Sequence, residues 1–75
     1  MNMKLVEEKV IELIYREPFA PFVVEMTDGN SLQVPHPRLA VDDTGALFFG
    51  PDGGLINFHF KNVRAIRLQN SETAA

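Results

Sequence analysis

Two histidines and no cysteine occur in the 75 residues, and one of the histidines, His36, stands between two prolines in Val-Pro-His-Pro-Arg-Leu, residues 34–39. Imidazole can move protons near neutral pH and is a common metal ligand, so His36 is the first residue to test for chemistry. A nucleophile beside it would have to be Thr27, Ser31, Thr44, Ser71 or Thr73, and none of these lies in a recognisable nucleophile setting. Asp42 and Asp43 offer carboxylates for acid–base work. A domain this small has little room to wall a deep pocket off from water, and no catalytic residue is expected.

Metal binding fares no better. His36 and His59 lie 23 residues apart and match no ligand spacing. Asp42-Asp43 and Asp52-Gly53 lack the alternating oxygen ligands and closing glutamate of a calcium loop; they read as turn chemistry. No metal and no cofactor is expected. Pro35 and Pro37 have no N–H to give a central ladder, and each pushes its predecessor toward extended backbone. The stretch therefore marks a strand end, a bulge or a bend. The preferred reading of His36 is a corner residue whose imidazole bonds a nearby backbone carbonyl.

Two further groups are candidates for binding. The basic cluster Lys61, Arg64 and Arg67 falls in Phe-Lys-Asn-Val-Arg-Ala-Ile-Arg-Leu, residues 60–68. Strand parity places Arg64 and Arg67 on opposite faces, which favours solvated edge charge over a concentrated phosphate site. Phe19 and Phe22, beside Pro18 and Pro21, either seal the junction between helix and sheet or face a partner.

The elements that must position these residues follow from periodicity. Residues 3–16 place Met3, Val6, Val10, Leu13 and Ile14 on one helical stripe. Asn2 suits the N-cap, Glu12 and Arg16 form an i,i+4 pair, and Pro18 stops the helix. Then the period becomes two. Phe22, Val24 and Met26 alternate with more polar positions up to Asp28-Gly29-Asn30, a hairpin signal. A three-residue loop, 28–30, sets Met26 opposite Leu32 and Val24 opposite Val34, with Gly29 or Asn30 left-handed. Further strands are expected at 38–42, 46–50, 55–60 and 63–68, joined by turns at 42–45, 51–54 and 61–62. In 55–60, Ile56, Phe58 and Phe60 share one face and Leu55, Asn57 and His59 the other.

The sum is a single domain over residues 1–70, mainly β with one N-terminal helix, and a polar tail at 71–75 that is expected to fray. Five or six short antiparallel strands make a small bent sheet or barrel of Sm-like or SH3-like kind. A chain this short buries only about 60–65% of its unfolded surface, and without disulfides self-association is a natural source of added stability. Net charge is −3, from seven basic and ten acidic residues, against the basic surplus usual in nucleic-acid binders. No apolar run approaches the ~20 residues of a membrane span, and Glu7 and Glu8 do not fit a secretory signal. A cytoplasmic protein with no membrane partner is expected.

Residues 18–41 resemble a group of small uncharacterised bacterial proteins that share Pro-Phe-x-Pro-Phe, Asp-Gly and Val-x-His-Pro. That resemblance implies bacterial origin and little more. A helix followed by bent strands is also distantly similar to the Sm-like small barrel. Asp28-Gly29 matches the turn between that family's first two strands, and residues 60–68 resemble its Arg-Gly-Asn-x-Val-x-x-Ile motif. The resemblance implies rings built by edge pairing, and RNA contacts at Lys61 and Asn62. The chain departs from the family at 42–49 and at Pro35-His36-Pro37. The expected function is a non-enzymatic binding or assembly module, self-associating through strand edges or meeting an unidentified protein partner. The alternative is a weak single-stranded RNA binder using Lys61, Asn62, Arg64 and His36.

Overall fold

The computed structural model describes residues 2–69. The expectation for residues 71–75 lies outside them. Helix α1, Met3–Ile14, starts where Asn2 accepts the Leu5 amide on Oδ1 at 2.9 Å. It ends two residues short of the expected boundary. Tyr15 takes the C-cap, its amide bonding the Ile11 carbonyl, because the chain must turn toward the sheet before Pro18. Val6, Val10 and Leu13 are buried, while Met3 lies at the margin of the stripe. The ion pair on the helix is Lys9–Glu12 at 3.5 Å, not the expected Glu12–Arg16.

Six strands follow: β1 Phe22–Met26, β2 Ser31–Val34, β3 Ala40–Val41, β4 Gly45–Phe49, β5 Leu55–His59 and β6 Val63–Leu68, with a single 3-10 turn, Phe60–Asn62, between the last two. They form two antiparallel three-stranded sheets, ordered β2-β1-β6 and β3-β4-β5, rather than one closed barrel. The prolines explain the division. Pro35 ends β2 at Val34, and a ladder resumes only at Ala40, so no continuous strand joins the sheets. The inner faces carry Phe22, Val24, Val34, Ala46, Phe48, Phe58, Phe60 and Val63, which meet the stripe of α1 in one core.

The first hairpin keeps the expected parity but not the expected pairing. Val24 lies opposite Leu32 and Phe22 opposite Val34, a shift of two residues that leaves every apolar side chain on its face. The loop is Thr27-Asp28-Gly29, closed by Met26 N–H to the Asn30 carbonyl at 2.8 Å. The left-handed residue is Gly29, at φ 93°. The loop between β4 and β5 repeats this design. Gly50 N–H bonds the Gly54 carbonyl at 2.8 Å around Pro51-Asp52-Gly53, and Gly53 has φ 85°. In both loops the aspartate accepts the amide two residues on, at 2.9 Å. A three-residue loop with glycine third is a common hairpin connection. Glycine takes that slot without the Cβ cost that Asn30 would carry there, in keeping with the observed register.

Gly45 answers a different need. A Cβ there would collide with the Phe58 carbonyl oxygen on the neighbouring strand. Gly45→Ala is expected to destabilise the domain by about 1–3 kcal/mol through overpacking, measured by urea denaturation. An unchanged midpoint would contradict the tight β4–β5 contact.

Candidate functional site

His36 occupies the corner between the sheets. The Arg38 amide donates to Nδ1 at 3.2 Å, and Nε2–H donates to the Phe49 carbonyl at 2.9 Å. One nitrogen accepts and the other donates, which fixes the neutral tautomer. The ring meets Phe48 edge-on, with centroids 5.8 Å apart. The imidazole thus ties the β2–β3 connection to the end of β4, and both nitrogens are engaged in doing so.

Arg64 and Arg67 are not on opposite faces. The β1–β6 register shifts between Glu25 and Met26, so that Glu25 faces Ala65 and Met26 faces Val63, leaving Arg64 as the extra residue of a bulge. A bulge re-aims its residue, and here it turns Arg64 toward Arg67. Arg64 Nη2 donates to Glu25 Oε1 at 3.1 Å, and Arg67 Nε donates to Glu25 Oε2 at 2.6 Å. The hydrogen bond from Arg67 first, and that from Arg64 second, hold the Glu25 carboxyl below its ordinary value. Simple alternation could not reveal this pair, because the bulge breaks it.

Lys61 and Asn62 lie in the 3-10 turn, where three connections converge. The Thr27 amide donates to the Asn62 carbonyl at 2.7 Å, and the Phe60 amide to the Thr44 carbonyl at 2.9 Å. Asp42 organises the middle connection, accepting on Oδ1 from Thr44 N–H, Thr44 Oγ1–H and Gly45 N–H at 2.8, 2.9 and 2.9 Å. These bonds, the Thr44 amide first, hold its carboxyl below the ordinary range. Asp42 and Asp28 therefore serve turns, as the sequence indicates, and no group of metal-ligating side chains forms among the described residues. His36 does not join Lys61. It lies beside Phe49, which pairs with Leu55 at one end of β5, while Lys61 follows the other end. The candidates Lys61, Asn62, Arg64 and His36 are thus spread over three places.

Phe22 is 0% exposed and belongs to the core, so it offers nothing to a partner. Phe19 stacks edge-on against it at 6.2 Å and packs partly against the core. The pair seals the junction. Exposed apolar side chains occur elsewhere, at Met3, Leu5, Ile11 and Tyr15 of the helix and its cap and on the outer face of β4 and β5. Phe49 is 63% exposed, Leu55 58% and Leu47 40%. Phe49 faces Leu55 across the pair, and Leu47 faces Asn57.

No family model, curated protein or solved structure matches the chain. The surface residues must therefore speak for themselves. Among the described residues β5 pairs only with β4. The bonds at Gly50–Gly54 and Thr44–Phe60 bracket the β4–β5 ladder. Alternation between them directs Ile56 and Phe58 toward β4 and turns the peptide groups of Leu55, Asn57 and His59 outward. Nothing charged guards this edge. Between residues 45 and 60 the only Asp, Glu, Lys or Arg is Asp52, in the loop, and His59 closes β5. That run is the signal that could have located the surface from sequence.

Glu25 supplies a test of the electrostatics. Its lowered value in the fold means that its stabilising contribution is present above the ordinary carboxylate value and fades as pH falls through the folded one. The stability difference between the wild type and Glu25→Gln should therefore shrink between pH 7 and pH 3, measured by urea denaturation at each pH. A constant difference would show that the arginines do not depend on the charge of Glu25.

Proposed function

We propose that this protein is a non-enzymatic assembly module that associates with its own kind through the open edge of β5. The carrying observation is the uncharged edge itself. Exposed edges are commonly guarded by charge, proline, brevity or a bulge, because their free amides and carbonyls template pairing. β3 is two residues long, β2 ends at Pro35, and β6 bears Arg64 and Arg67 beside its bulge. β5 has five residues with no proline, no bulge and no Asp, Glu, Lys or Arg, and only His59 at its end is ionisable. The flanking outer face adds Leu47, Phe49 and Leu55, apolar groups that a neighbouring sheet would cover. Strand addition would supply main-chain hydrogen bonds, and side chains on either face would set the choice of partner.

The RNA reading draws support from the convergence of turns around Lys61 and Asn62. It is the weaker of the two, because the same connections bring Asp28, Asp42 and Asp43 there, and Arg64 is held by Glu25. Phosphate binding needs cations in surplus.

A charge placed in the edge should undo the association. Light scattering after gel filtration is expected to give a wild-type mass above that of one chain. Asn57→Lys should shift it to the monomer with an unchanged circular dichroism spectrum, since this side chain points away from the core. A wild-type monomer at high concentration, or an Asn57→Lys variant of unaltered mass, would contradict the reading.

A further inference from the structure

The geometry points to a specific partner for β5: the β5 of a second copy, paired antiparallel about a two-fold axis through Asn57. This inference rests on the edge reading and adds the partner and its register. The outward peptide groups are those of Leu55, Asn57 and His59, so an antiparallel neighbour must align odd residues with odd residues. Registers centred on residue 56, 57 or 58 all satisfy this. Only the one centred on 57 engages the whole of Leu55–His59 in both copies.

In that register Leu55 of each copy lies opposite His59 of the other, Ile56 opposite Phe58, and Asn57 opposite itself. No position sets like charges across the axis, although the chain carries a net charge of −3. Asn57 can pair its carboxamide with its symmetry mate, since a primary amide both donates and accepts. Half-buried Ile56 gains an apolar neighbour on the inner face. On the outer face the exposed band of Leu47, Phe49 and Leu55 becomes continuous with the sheet of the second copy.

The two-fold choice also explains how association stops. An isologous contact uses the same edge on both copies, so pairing consumes it and closes at two. The product is one six-stranded sheet, β3-β4-β5-β5-β4-β3, whose outer edges are the two-residue β3 strands. Pairing β5 with the β6 of a neighbour would instead leave a β5 edge open at every step until a ring closed. It would also bring the Arg64 bulge into the ladder.

The absence of cysteine makes a direct test available. Directly opposed residues in a hydrogen-bonded antiparallel pair have Cα atoms about 5.5 Å apart, within the range a disulfide spans. Asn57→Cys, oxidised mildly, is expected to give a covalent dimer whose light-scattering mass matches the twofold mass of the wild type. Phe49→Cys, also exposed but off the axis, serves as the control and should not cross-link. A wild-type dimer or larger ring in which Cys-substituted position 57 stays reduced would overturn the two-fold register and leave edge assembly standing. A wild-type monomer with no cross-link would overturn both.

Discussion

The fold depends on a backbone constraint at Pro35-His36-Pro37. Two prolines in three residues remove the amides a continuous ladder needs, so the chain leaves the first sheet at Val34 and enters the second at Ala40. His36 bridges the gap. Its ring reaches the Phe49 carbonyl, steadies the connection through the Arg38 amide, and lies against Phe48 of the core. A histidine in this setting serves architecture, and the division it stabilises leaves β5 at an edge.

Charge is distributed in keeping with that division. In the first sheet, Glu25 gathers Arg64 and Arg67 across the β1–β6 pair. In the second, the strands β4 and β5 carry no Asp, Glu, Lys or Arg, and their outer face exposes Phe49, Leu47 and Leu55. Exposed apolar groups gathered on one face, beside the β5 edge, are what support the proposed contact surface.

Much of the fold was legible in the residues. The helical stripe, the strand 63–68 and the inward set Ile56, Phe58 and Phe60 follow from periodicity, and the cap at Asn2 from side-chain chemistry. What escaped were features set by local backbone geometry. The first hairpin moved by two residues because glycine belongs third in its loop, a rule the Pro-Asp-Gly loop at 51–53 obeys as well. The bulge at Arg64 reversed a parity argument and built an ion pair between residues 39 and 42 positions apart. The proposed contact surface was hidden for another reason: it is defined by charges that are missing, and a search for chemistry looks for side chains that are present.

The central claim is that β5 is an open edge that another strand covers. Residue-resolved amide hydrogen exchange tests it most directly, because the two sets of β5 amides face different ways. Ile56 and Phe58 should be protected at every concentration by their bonds to β4. Leu55, Asn57 and His59 should gain protection only as concentration rises and the edge is covered. Free exchange at these three positions in concentrated solution would contradict the account, since it would leave β5 open with nothing paired to it.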